Sequence, residues 1–133
     1  MTNAEKVHAY LNEAKTFTFI TMDGDRPKGR PFGFHMLVDG ILYFGCGTFK
    51  NVFRQLTENP RVEVMAWKQL EFMRYDGDAV VVKDDRLLAK VREAMPEIMS
   101  LYDKNGWEMG IFRLDNGHVE IRDLFEVKDE FDV

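Results

Sequence analysis

The stretch "GTFKNVFRQLTENPRVEV", residues 47–64, leads from the end of one predicted strand through a short basic helix and an Asn-Pro stop into the next strand. Gly45 and Gly47 free the backbone just before the helix. A helix N-terminus carries unpaired N–H groups and a partial positive charge, so it is suited to an anion. The stretch therefore predicts either a phosphate-binding turn or an ordinary corner of the fold.

Working outward from this stretch, alternating apolar residues and Gly-containing turns predict short strands on both sides. The predicted strands and turns are "TFTFITM" (16–22), "GRPFGFHMLV" and "ILYFGCG" around Asp39-Gly40, "RVEVMAW" (61–67), "LEFMRY" (70–75), a turn at Asp76-Gly77, "DAVVV" (78–82), and "WEMGIFRL" and "HVEIRDL" around Asn116-Gly117. Hairpins dominate and no βαβ alternation occurs, which disfavours a parallel sheet.

Helical spacing of apolar residues predicts flanking helices. One spans residues 3–14 with Thr2 or Asn3 as cap, one spans 49–59, one follows a cap at Asp84 or Asp85, and one begins at Pro96. Together with the hairpins, these helices predict a mainly β (α+β) fold. We expect an antiparallel, closed or nearly closed barrel of about six to seven strands, in a single domain covering residues 1–133.

Composition excludes several classes of protein. No apolar run approaches the ~20 residues of a membrane span, and no signal-peptide segment opens the chain. The single cysteine, Cys46, rules out an intramolecular disulfide, and three scattered histidines offer no metal pattern. We therefore expect a cytoplasmic protein without a metal site and without a membrane partner.

The charge is unevenly distributed along the chain. Residues 108–133 carry eight acidic and three basic residues, whereas residues 26–61 carry six basic and two acidic ones. A nucleic-acid-binding protein shows a broader basic excess, so a local basic block in an acidic chain favours a small anionic ligand. A solvated surface of uneven charge explains the same pattern.

Hairpin pairing indicates where that ligand would bind. Pairing across Asp39-Gly40 places residue 34 opposite 45 and Arg30 opposite Phe49. Arg30, Thr48, Lys50 and the helix N–H groups would then surround a single phosphate. In the alternative interpretation, Thr48 is an ordinary N-cap and both cations face solvent. Spacing does not separate these two interpretations.

Three stretches, "TFTFITMDGDRPKGRPFGF", "DGILYFGCGTFKNVFRQLTENPRVEV" and "FMRYDGDAV", resemble the pyridoxamine 5′-phosphate oxidase-like FMN-binding split β-barrels. The resemblance implies that FMN is the cofactor and that a homodimer holds it between subunits. It implies a phosphate held by Arg30, Lys50 and Asn51 with Thr48 as a further donor, and an isoalloxazine ring lined by backbone at Pro31, Phe32, Gly33, Gly45 and Cys46.

The resemblance also implies an FMN-dependent oxidoreductase acting on an unidentified small molecule, with NAD(P)H as a candidate electron donor. No acid–base or nucleophile pattern stands out, so no catalytic residue is assigned. One alternative is a flavin-binding or electron-transfer module without turnover. Another keeps the fold but binds deazaflavin or haem, for which His35, His118 and Cys46 are the candidate axial ligands. For Cys46 and His35, packing within the fold is the default interpretation.

Overall fold

The computed structural model describes all 133 residues. It contains four helices, α1 (Asn3–Ala14), α2 (Asn51–Glu58), α3 (Asp85–Ala94) and α4 (Pro96–Asn105). The eight strands are β1 (Phe17–Asp23), β2 (Arg26–Phe32), β3 (His35–Val38), β4 (Ile41–Gly47), β5 (Arg61–Lys68), β6 (Glu71–Val82), β7 (Met109–Arg122) and β8 (Val127–Asp132). None of the helices combines the length and apolar character that a membrane crossing needs.

All strands belong to one antiparallel sheet with the order β2-β1-β5-β6-β7-β4-β3, and β8 pairs with the second half of β7. The sheet curls tightly on itself. Phe19 of β1 and Phe112 of β7 have ring centroids 5.3 Å apart, and Phe17 lies 5.8 Å from Phe44 of β4. Three strands separate β1 from β4, which in a flat sheet would set them about 19 Å apart. The predicted mainly β, barrel-like fold is confirmed.

Two predicted turns are wrong. Asp76-Gly77 and Asn116-Gly117 lie within the long strands β6 and β7, which pair with each other on both sides of a register shift between Asp76 and Asp78. Glycine is needed at positions 77 and 117 because neighbouring backbone approaches too closely for a side chain. A Cβ on Gly77 would come within 3.0 Å of the Asp115 carbonyl oxygen, and one on Gly117 within 3.1 Å of the Val133 oxygen. The same residues that favour turns thus mark a bulge.

The predicted strand "GRPFGFHMLV" is divided in two. β2 pairs with β1, so that Arg30 lies opposite Phe19 rather than Phe49, and only β3 forms the hairpin with β4, from His35–Phe44 to Val38–Ile41. β2 is an edge strand, which suits its prolines because they cannot donate to a ladder. The chain leaves β2 after Phe32 and enters β3 at His35.

The helices close the two sides of the sheet. Thr2 caps α1, where its hydroxyl accepts from the Glu5 N–H and the Glu5 carboxylate accepts from the Thr2 N–H. Asp84 caps α3, and Pro96 is the first residue of α4. Buried residues of α3 and α4 form a second, smaller core with β3, β4 and β7. This packing holds α4 near the end of β4.

Candidate functional site

An open cleft of about 240 Å³ lies where the end of β2, the end of β4, the start of α2 and helix α4 meet. It is lined by Arg30, Pro31, Phe32, Gly33, Phe34, Gly45, Cys46, Lys50, Val52, Met95, Ile98, Tyr102 and Met109. A larger depression of about 550 Å³ lies elsewhere, between the β5–β6 turn and the β7–β8 loop. That depression is lined by two lysines and two carboxylates, whereas the only charged residues of the cleft are the cations Arg30 and Lys50, so the cleft is the better candidate for an anionic ligand.

Arg30 reaches from β2 toward β1 and α2. Its Nη1 donates to the Phe19 carbonyl oxygen at 3.1 Å and to Thr21 Oγ1 at 2.8 Å, and its Nη2 donates to Gln55 Oε1 at 2.8 Å. Burial lowers the pKa of the guanidinium from its ordinary value, yet an arginine stays charged at neutral pH. All three acceptors are neutral. The guanidinium is therefore fixed in place without being neutralised.

Lys50 is the second cation of the cleft. It is the N-cap residue of α2, which begins at Asn51, and no side chain caps this helix. The first turn of α2 contains no acidic residue, and Lys50 forms no ion pair. The start of the helix thus adds its partial positive charge to that of Lys50.

The structure brings seven of the nine predicted site residues to the cleft, all except Thr48 and Asn51. Thr48 is not the N-cap. Its N–H donates to the Glu108 carbonyl oxygen at 2.9 Å, and it lines a separate cavity of about 190 Å³. The pairing that places Arg30 at the cleft differs from the predicted one. Arg30 lies on β2, which pairs with β1, and the connection from β2 to β3 brings Phe34 against Gly45 of β4.

The predicted ligands for a haem iron are dispersed. His35 is half-buried, and its Nδ1 lies 2.8 Å from His8 Nδ1. Burial is the main cause that lowers the pKa of His35 to about 4, and the neighbouring His8 lowers it further. His118 contacts Asp132 and Glu130 on β8. Only Cys46 lines the cleft, and burial raises the pKa of its thiol to about 12, so it stays protonated.

Two groups of residues at this site have no signal in the sequence. The side chains of α4, Ile98 and Tyr102, line the cleft because α3 and α4 fold back over the sheet. The structure leaves Ile98 46% exposed although it is apolar, which its place in the sequence does not show. Thr21 and Gln55, the partners of Arg30, come from β1 and α2 and are both buried. Their side chains look like ordinary surface residues in the sequence.

The family model described as pyridoxamine 5′-phosphate oxidase matches residues 4–114, and the chain therefore belongs to this family. Among curated proteins, none matches the chain by sequence.

Solved structures share the split-barrel fold. A nimC/nimA family protein from Clostridium acetobutylicum has a TM-score of 0.88 at 24% identity, covering 100% of this chain and 95% of that one. A pyridoxamine 5′-phosphate oxidase-related, FMN-binding protein from Nostoc punctiforme has 0.68 at 16% identity, covering 98% and 89%. HutZ, the heme storage protein from Vibrio cholerae, has 0.62 at 22% identity, covering 86% and 89%. At these identities, the likeness shows the fold alone.

Proposed function

We propose that this protein binds FMN in the cleft and is an oxidoreductase that acts on a small molecule. The observation that carries the proposal is a pair of cations, Arg30 and Lys50, that line one cleft without a carboxylate partner. Six of the nine arginines in the chain do pair with carboxylates. Two unpaired cations at one cavity are the arrangement that a phosphate needs.

The donors and the backbone around the cleft fit FMN. A guanidinium has five N–H groups, and Arg30 commits three of them within the protein, which leaves the Nε–H and one Nη2–H for a phosphate. A Cβ on Gly45 would come within 3.2 Å of Met109 Sδ, so a larger residue would crowd this wall. Bare backbone at Gly33 and Gly45 suits the close approach of a flat ring.

When bound, FMN would supply the electron or hydride chemistry, and the protein would bind and orient it. Arg30 and Lys50 would hold the phosphate end. The apolar side chains Phe34, Met95 and Ile98 would exclude water from the ring end. No carboxylate or imidazole lines the cleft, since His35 lies outside it, and burial keeps the Cys46 thiol and the Tyr102 phenol protonated by raising the pKa of each. Reactivity would therefore follow flavin occupancy.

The cleft's chemistry favours a flavin over haem. A haem iron needs an axial ligand. No histidine lines the cleft, and its remaining donors are the buried, protonated Cys46 thiol, the Tyr102 phenol and the thioethers of Met95 and Met109. The structural neighbours include both an FMN-binding protein and a heme storage protein, so the ligand needs a direct test. The absorption spectrum of freshly purified protein separates flavin, deazaflavin and haem. NAD(P)H consumption with an added acceptor then separates an enzyme from a non-catalytic flavin carrier.

A titration with FMN and riboflavin tests the phosphate site. Losing a charge-assisted contact costs about 1.5–3 kcal/mol, so Lys50→Ala and Arg30→Ala should each weaken FMN at least tenfold. Riboflavin, which lacks the phosphate, should be affected much less. Lys90→Ala on α3 removes an exposed lysine outside the cleft and is the matched control. Equal losses for both ligands would contradict the phosphate assignment.

A homodimer is the second part of the proposal. A volume of about 240 Å³ is below the ~300 Å³ at which ordinary ligand pockets begin, so a second subunit would complete the cover of the ring. Large apolar side chains stand exposed on this chain, among them Trp67, Leu70 and Phe125. Light scattering at micromolar protein tests this part. A monomer that holds stoichiometric, tightly bound FMN would refute it.

A further inference from the structure

Apart from tyrosines, Thr21 and Gln55 are the two buried polar side chains of the chain, with exposed fractions of 1% and 3%. Burying a polar group costs free energy unless it is hydrogen-bonded. Here the two side chains bond to each other, Thr21 Oγ1 to Gln55 Oε1 at 2.5 Å, and both accept from Arg30. The network joins β1, β2 and α2 at one point beneath the cleft. Its geometry is directed at a single guanidinium.

The acceptors in this network have a common chemical property. A backbone carbonyl, a hydroxyl and a side-chain amide orient Arg30 without cancelling its charge. Six other arginines have carboxylate partners instead, among them Arg54, which pairs with Asp23 and Glu58, and Arg113, which pairs with Asp115. A glutamate at position 55 would make a stronger bond to Arg30 than glutamine does. It would also neutralise the cation that the cleft presents.

We propose that Gln55, supported by Thr21, is a positioning residue that holds Arg30 as an uncompensated cation for the anionic end of the ligand. This inference rests on the proposed function, which makes that end a phosphate. The neutral amide is the essential feature of Gln55. It occupies one Nη2 hydrogen and leaves the Nε–H and the other Nη2–H pointing away from the network, where an anion can accept them.

The proposal makes stability and affinity move in opposite directions. Gln55→Glu replaces a neutral acceptor by a carboxylate beside a cation, so the thermal midpoint should stay equal or rise. FMN affinity should nevertheless fall about tenfold or more, because the guanidinium is neutralised. Riboflavin affinity should change little. If Gln55 were merely structural, affinity would follow stability. Asn12→Asp makes the same change from amide to carboxylate at an exposed position of α1 outside the cleft and should leave the FMN affinity as it is.

Thr21 allows a second test without a change of charge. Thr21→Val keeps the shape but removes the hydroxyl that accepts from Arg30 and donates to Gln55. We expect FMN affinity to fall several-fold, and Thr21→Ser to restore it because the hydroxyl returns. A Thr21→Ser variant as weak as Thr21→Val would count against a role for the hydroxyl and against the proposal.

A measurement that does not require FMN to bind separates this inference from the proposed function. The ¹⁵N–¹H signal of Arg30 Nε can be followed while inorganic phosphate or FMN is added to the full chain. A shift in the wild type that is lost in Gln55→Glu supports the inference, even if FMN itself does not bind. Failure of FMN binding alone overturns the proposed function. An unchanged FMN affinity in Gln55→Glu, or an Arg30 signal that ignores phosphate in the wild type, overturns the inference.

Discussion

The cleft and the sheet edge formed by β7 and β8 differ in whether their cations have carboxylate partners. Arg30 and Lys50 both line the cleft, where Arg30 has neutral partners only and Lys50 forms no ion pair. At the edge, His118 is held between Asp132 at 2.8 Å and Glu130 at 2.7 Å, and these contacts raise its pKa to about 9. The edge satisfies its charge within the chain, whereas the cleft leaves its charge available.

The segregation of charge along the sequence makes this difference possible. Eight of the 23 acidic residues fall in residues 108–133, whose second half forms the edge, and the 26–61 block that lines the cleft has two. A carboxylate near the cleft would compete with an anionic ligand. The comparison indicates that the cleft is kept free of internal anions, and four predictions test it, beginning with the largest expected effect.

Reversing the charge of the cleft should abolish the difference between the two regions. Lys50→Glu removes one cation and places a carboxylate at the start of α2, so FMN affinity should fall about 100-fold or more. Stability should change little, because position 50 is exposed and forms no ion pair. Fluorescence titration with FMN measures the effect, with Lys90→Glu as the control of equal charge change. An FMN affinity within a few-fold of the wild type would show that the cleft is not the anion site.

Adding a methyl group to one glycine in each region should affect stability at the edge alone. In Gly117→Ala the new Cβ would lie 2.8 Å from the buried Tyr75 ring and 3.1 Å from the Val133 oxygen, whereas a Cβ on Gly33 meets nothing within 4 Å. We expect Gly117→Ala to cost about 1–3 kcal/mol and Gly33→Ala to stay within about 0.5 kcal/mol. Urea denaturation of both variants measures this. Equal losses of stability in the two variants would contradict a close approach of backbone at Gly117.

Acid should weaken the fold through His35. Its pKa falls from 6.5 to about 4 on folding, so the unfolded chain binds a proton that the folded chain rejects. The stability that the neutral ring contributes is present above about pH 6.5 and is lost as the pH falls through about 4. His35→Gln should therefore flatten the decline of the thermal midpoint between pH 6.5 and 4. His118→Gln is the control, and a His35→Gln profile parallel to the wild type would contradict the burial argument.

Alkali should act on the edge, with the opposite sign and the smallest effect. The folded-state pKa of His118 is raised from 6.5 to about 9, so its contribution is complete below about pH 6.5 and is lost as the pH rises through about 9. The thermal midpoints of wild type and His118→Gln should differ at pH 6.5 and converge near pH 9.5. The contribution is modest because the ring is exposed. A constant difference across this range would mean that the ion pairs are not its source.

Sequence patterns predicted the helices well and the sheet only in part. Apolar spacing and caps located α1, α3 and α4, because helix signals are local. The glycines at 77 and 117 were misread as turns, since a turn and a close strand approach favour the same residues. The pairing of Arg30 with Phe49 is wrong for another reason: the hairpin across Asp39-Gly40 forms but ends at His35, and β2 pairs with β1 instead. Arg30 and Lys50 do line one cleft, but β2 pairs with β1 to bring them there.

The sequence by itself determined the class of fold, the family and the basic block, because each of these depends on local patterns and on composition. The tertiary structure alone decided that Thr21 and Gln55 surround Arg30, that α4 lies over the cleft, and that Thr48 lies outside it. These facts depend on contacts between residues far apart in the chain. A buried glutamine in a helix has the same sequence signal as an exposed one, and only the packing of α2 on β1 and β2 distinguishes the two.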